Sequence, residues 1–292
     1  MDAVSEISSI SNIICKVIDS PNFLNFFQTN KDSAIIGAIN STFSGGAVFG
    51  SLMVRYAETN HIESQTTDSI CSSQGGFTMD RFGRKRTIQI GAAIATIGGI
   101  LQCSAMNLAM ILVGRIISGW AVGLMSMSVP VYQAECAHPN IRGMIVGLTQ
   151  QMIGIGFIVS TWVGYGSRHT SDASSFQWRF PLAFQIIPSA LLLVGLIWLP
   201  ESPRYLVEKD RDEEGVKILR KLHYNGSNDD WIQTEYNEIR ATISAEKAIT
   251  APGWAVMFKV PQWRKRLLLG TLIQVFTQLT GISKFALDNI SF

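Results

Sequence analysis

Long apolar runs separated by short charged clusters set the organisation of this chain. A helix crossing about 30 Å of hydrocarbon needs roughly 20 mostly apolar residues, because each residue adds only about 1.5 Å of rise. Five stretches reach that length: residues 33–53, 87–106, 108–131, 144–164 and 180–199. The first is only moderately apolar and carries Gly45, Gly46 and Gly50, the third contains one charge, Arg115, and the last two contain none. A sixth run starts at Leu267 but meets Lys284 and Asp288, so residues 267–292 read as a partial further span. The runs are about twice as long as a barrel strand requires and do not alternate in polarity, which selects helices. In lipid an uninterrupted helix also satisfies its own backbone. The predicted fold class is an all-α membrane protein with a helical bundle over 33–199.

The intervening segments differ sharply. Residues 1–32 include Asp2, Glu6, Lys16 and Asp19 and read as a non-spanning N-terminal segment. Residues 54–75 form an atypical polar insert, and Asn107 alone separates two spans, which predicts a tight hairpin. Over 200–266 twelve Lys or Arg alternate with eleven Asp or Glu, the pattern of a solvated linker with short amphipathic helices such as 212–222. Basic residues collect on the cytoplasmic side of membrane proteins. Arg81, Arg84, Lys85, Arg86 and Arg142 fall on the linker's side, whereas the other side shows only Arg168 and Arg179, so that end and the linker are predicted to be cytoplasmic.

Composition agrees with a bilayer: 47% of residues are apolar and 16% charged, with a mean hydropathy of +0.22. The net charge of +2 gives no reason to expect a nucleic-acid partner, and Arg84-Lys85-Arg86 is too short a basic run to argue one. Cys15, Cys71, Cys103 and Cys136 form no close pair and the four histidines show no ligand spacing, so no metal or other cofactor is expected. The N-terminus lacks the pattern of a cleaved signal peptide. No span carries a convergent nucleophile, acid–base pair or metal set, so a catalytic site is not expected.

Several polar residues stand out against this background. Arg115 lies a third of the way into a span, where an unpaired charge costs at least about 2.5 kcal/mol. It reads as a bundle-facing residue with a partner, or else as an arginine snorkelling to the helix end. Gly119 and Gly123 follow at steps of four and share its face, where small residues permit close helix packing. Gln150, Gln151, Gln274 and Gln278 lie in apolar runs, and their amides suit sugar hydroxyls as well as they suit interhelical hydrogen bonds. Gly76, Asp80, Arg81, Gly83 and Arg84 form a charged turn at a membrane face, in which Asp80 can cap the following helix. A positive-inside anchor would look similar to that turn; Glu135 with Arg142 and Glu201 with Arg204 supply two more opposite-charge sets on that side, and the three sets could pair across helix ends and close a gate.

Five motifs in order carry a resemblance: GFTMDRFGRKR from Gly76, GRIISGWAVG from Gly114, PVYQAE from Pro130 with Arg142-Gly143 after it, QWRFP from Gln177, and PESPR from Pro200. Together they resemble the sugar porter family of the major facilitator superfamily, most closely its fungal hexose-transporter-like members. The resemblance covers about Pro21 to Gly281, the second to seventh helices of a family fold with twelve, and implies a partial major facilitator bundle. It implies transmembrane transport of a hexose-like sugar by alternating access, with protons as a second partner in a symport, in a multi-pass protein of the plasma membrane. It further implies that Gln151 and Gln278 contact sugar, that Asp80, Arg81, Arg84, Glu135, Arg142, Glu201 and Arg204 form a cytoplasmic salt-bridge gate, and that Arg115 is a buried structural or coupling residue.

Three departures qualify that expectation. Residues 1–20 are too polar to serve as the family's first helix, whose Asp is often linked to proton coupling. The insert at 54–75 replaces a short turn and would push the charged motif away from its helix, as a retained intron or gene-model error would. The sugar-binding stretch of the seventh helix reads Thr277-Gln278-Leu279-Thr280-Gly281-Ile282-Ser283, keeping Gln278 while replacing a neighbouring Gln and an Asn. With the family's second half lacking after Phe292, the chain alone is expected not to transport. The alternative reading is a non-transporting sugar sensor or a truncated regulatory partner of a full-length porter.

Overall fold

The computed structural model describes residues 21–27, 34–59, 82–169, 175–224, 226, 229–248 and 261–279. Among these residues the regular elements are helices, with no strand. They divide into two units, one comprising Met1–Gln65 with Gln74–Ile243, the other Thr66–Ser73 with Ser244–Phe292.

The larger unit opens with a short helix α1 (Pro21–Phe26) and the long helix α2 (Ala34–Thr59), which continues six residues past the apolar run ending at Met53. Helix α3 (Arg84–Cys103) turns at Ser104–Asn107 into α4 (Leu108–Cys136). Asn107 takes an extended conformation there, which separates the two helices. A single 3₁₀ turn at Pro139–Ile141 leads into α5 (Arg142–Arg168). The apolar run over 180–199 forms two helices, α6 (Phe176–Phe184) and α7 (Ile186–Trp198), joined at Gln185. Pro188 explains the break: it lacks an amide proton and its ring crowds the carbonyl four residues earlier, at Phe184. By length and composition, three stretches among the described residues can cross a membrane: Leu108–Cys136, Pro139–Ser167 and Phe176–Trp198.

Helix α4 is the centre of this unit, with α2 packed along one side and α3 along another. One apolar core joins Ile88, Ala92 and Ala95 of α3 to Ala121, Met125 and Val129 of α4 and Leu196 of α7. Another gathers Phe23, Ile39, Ile111 and Leu182 around Trp178, whose side chain is fully buried.

Beyond the spans lie α8 (Pro203–Glu208), α9 (Asp212–His223) and α10 (Asp229–Ala248). Asp212, Glu213 and Glu214 open α9 and Arg220, Lys221 and His223 close it, an order that complements the helix dipole. Its apolar face, with Leu219, meets Ile232, Tyr236 and Ile243 of α10 and Val207 of α8 in a small separate core. The second unit takes the end of α10, from Ser244, and the helix α11 (Pro261–Leu279).

Candidate gate and substrate residues

The start of α3 determines the ionic site. Gly83, with φ +92, holds a backbone conformation that favours glycine, and a Cβ there would come within 2.8 Å of the Glu201 carboxylate. That close approach lets Glu201 Oε1 accept from the Lys85 amide at 2.9 Å. The first turn of α3 thus takes a carboxylate from a segment more than a hundred residues away, satisfying one of the amides that a helix start leaves open. The Thr87 hydroxyl donates back to the Gly83 carbonyl at 2.8 Å, and Lys85 Nζ donates to the Ile197 carbonyl at 3.2 Å.

Arg84 lies beside this turn with its side chain 7% exposed, its Nε 3.1 Å from Glu135 Oε2 at the end of α4. Its Nη1 lies 3.3 Å from Glu208 Oε2 at the end of α8, and its guanidinium sits 5.3 Å from the centre of the Tyr205 ring. Ser202 meets the same Glu135 oxygen as Arg84. It is fully buried, its hydroxyl donates to Glu135 Oε2 at 2.6 Å, and it caps α8 by accepting from the Tyr205 amide. The Tyr132 hydroxyl donates to the Pro200 carbonyl at 2.7 Å, tying α4 to the start of the same segment. Burial raises the Tyr205 phenol above its ordinary value, and the Glu201 charge adds to the effect.

This arrangement gathers Arg84, Glu135 and Glu201 with Glu208 and Ser202, two residues that sequence reasoning did not single out. Glu135 pairs with Arg84 rather than with Arg142, which is exposed at the start of α5 and makes no ion pair among the described residues. Arg204 is half-buried on α8. Asp80 and Arg81 lie outside the described residues, as do residues 60–75 of the insert. A serine-proline pair opening a helix is a capping signal visible in sequence for Ser202. Glu208 had no comparable signal among the many acids of the linker.

Within the bundle, Arg115 is 1% exposed, and its guanidinium lies 5.1 Å from the centre of the Phe43 ring on α2. Gly119 and Gly123 continue the same face of α4: a Cβ on either would strike the backbone carbonyl of Phe43 or Ala47. The α2 side reciprocates, because a Cβ on Gly46 or Gly50 would come within 2.6 or 2.5 Å of the carbonyls of Ile116 or Trp120. A polar contact set lies between α3, α4 and Gln185. Gln102 Nε2 donates to the Gly114 carbonyl at 3.0 Å and to the Ser118 hydroxyl at 2.7 Å, and Gln185 Nε2 donates to Gln102 Oε1 at 3.4 Å.

Of the candidate substrate residues, Gln151 is exposed on α5. Gln278 lies on α11, and its side chain, like those of Gln150 and Gln274, is outside the described residues.

Residues 68–287, well over half of the chain, match the family model described as sugar (and other) transporter. The chain belongs to this family. The sugar-transporter relatives include an MFS glucose transporter of Aspergillus flavus, 33% identical over 95% of this chain and 49% of that protein. They also include a high glucose sensor of Saccharomyces cerevisiae, 34% identical over 95% of this chain and 33% of the sensor. In fold the chain resembles the xylose transporter XylE of Escherichia coli in a partially occluded, inward-open conformation. The TM-score is 0.70 with 23% identity, covering 98% of this chain and 64% of XylE. The chain spans about half the length of the curated transporter relatives it matches. It is an all-α, multi-pass membrane chain with a partial major facilitator bundle.

Proposed function

We propose that this chain supplies the N-terminal-half helices of a plasma-membrane transporter for a hexose-like sugar. The ionic cluster at the ends of α3, α4 and α8 is its cytoplasmic gate. The observation that carries the reading is the buried Arg84, held by Glu135 from a spanning helix and Glu208 from the linker. Desolvation offsets much of the attraction in such a buried pair, so closing it and opening it to water are nearly balanced, which suits a contact that forms in one access state and breaks in the other. Asp80, Arg81, Arg142 and Arg204 are assigned to the same gate by the family resemblance. Gln151 and Gln278 are the proposed sugar contacts, and Arg115 holds α4 against α2.

The test is a chimera in which residues 82–279 replace the matching region of the Aspergillus flavus glucose transporter, expressed in transporter-deficient yeast. Saturable uptake of labelled hexose is expected, with Gln151→Ala weakening apparent affinity about tenfold, the worth of one hydrogen bond to sugar. Collapsing the proton gradient then separates symport from facilitated diffusion. A chimera that reaches the plasma membrane yet gives no saturable uptake overturns the reading.

A second reading, a sugar sensor, is favoured by the similarity to the yeast high glucose sensor. It predicts glucose-dependent signalling by the chimera without uptake.

A further inference from the structure

We propose that His223 is a proton-operated clamp that fastens the α9–α10 helix pair to the end of α4, closed in acid and released in alkali. His223 is the last residue of α9, and its side chain is 4% exposed. One ring nitrogen, Nδ1, lies 3.0 Å from Glu235 Oε2 on α10. The other, Nε2, lies 3.3 Å from the carbonyl oxygen of Cys136, the last residue of α4. Carboxylate and carbonyl are both acceptors, whereas a neutral imidazole has a single N–H. Either neutral tautomer therefore sets one lone pair against another, and only the imidazolium donates to both partners.

The surroundings keep the ring in place between them. Trp231 of α10 stacks on His138 with 4.7 Å between ring centres, and the His138 ring meets His223 edge-on at 5.3 Å. Among the described residues, the titratable and charged groups around His223 include Glu235 from α10, the Cys136 thiol from α4, His138 from the connection, Arg142 from α5, and Arg220 and Lys221 from α9 itself. Glu235 puts a negative charge against the ring, and its side chain is only 12% exposed. Its hydrogen bond raises His223 above the ordinary imidazole value of 6.5; burial and Arg142 oppose the shift without reversing it. A raised value means the clamp contributes fully below 6.5 and is lost as pH rises through the value His223 has when docked. The same linker carries Glu208, the second carboxylate on Arg84, so this proton-dependent hold lies in the segment that also serves the ionic cluster.

Hydrogen exchange of the α9–α10 amides, measured on the purified chain in detergent and normalised for intrinsic rates, tests the clamp. Between about pH 6 and pH 8.5 the open population is expected to rise on the order of tenfold, the factor for one charge-assisted hydrogen bond. His223→Asn removes that pH dependence, and Glu235→Gln moves the transition to lower pH. Exchange that does not change with pH in the unaltered chain, or a pH dependence that survives in His223→Asn, overturns the proposal. Should His223→Asn fail to fold, a transition left unmoved by Glu235→Gln overturns it equally.

Discussion

Helices α4 and α5 are both long, apolar and glycine-rich, yet 56% of the most apolar stretch of α4 is buried, against 18% for the segment containing α5. The glycines make the difference concrete. Gly119 and Gly123 on α4 leave no room for another atom against α2, whereas a Cβ on Gly143, Gly147, Gly154 or Gly166 of α5 meets nothing within 4 Å. Side chains follow suit: Met125 is fully buried, while Trp162 is 69% exposed. Hydropathy alone therefore does not say whether an apolar helix is a packing axis or a face left open in this unit. The decisive quantity is how closely a neighbouring backbone approaches.

Four substitutions test that contrast, from the largest expected effect to the smallest. Arg84→Ala strips a buried guanidinium from Glu135 and is expected to cost about 3–5 kcal/mol, because the remaining carboxylate is left buried with one positive partner fewer. A detergent unfolding midpoint unchanged from the parent would show that the α3–α4 end is not held this way. Gly119→Ala forces α2 away from α4 at a backbone carbonyl and is expected to cost about 1–3 kcal/mol, seen as a lower Tm. If it were neutral, the close α2–α4 contact would not exist in solution. Ser202→Ala removes both the α8 cap and a hydrogen bond to Glu135, for a loss of about 1–2 kcal/mol in the same assay. Gly154→Ala should go the other way, raising stability by about 0.5–1 kcal/mol through helix propensity alone. A destabilised Gly154→Ala would mean that this part of α5 is packed after all, and the contrast with α4 would fail.

The helical class and the family were legible because run length and motif order are local signals, and three of the five runs fall on stretches long and apolar enough among the described residues to cross a membrane. The steps of four linking Arg115, Gly119 and Gly123 were equally readable as one face; that α2 supplies the opposing surface was not, since which helix packs there is decided by tertiary contacts and not by spacing within α4. Ion-pair partners were harder. Glu135 had Arg142 seven residues away in sequence, but Arg84 reaches it because the end of α4 returns beside the start of α3. The break at Gln185 was encoded in Pro188, yet a hydropathy reading passes over it because proline does not interrupt an apolar run. His223 carried no sequence signal at all: its two acceptors come from α10 and from the last carbonyl of α4, a juxtaposition that only packing creates.

The carboxylate of Glu201 on the Lys85 amide bears on how the chain is made. Its two partners are 116 residues apart, so the opening turn of α3 leaves the ribosome with that amide still awaiting its acceptor. Only after α4 to α7 have been synthesised does the acceptor emerge, so translation itself dates this contact as a late event in assembly.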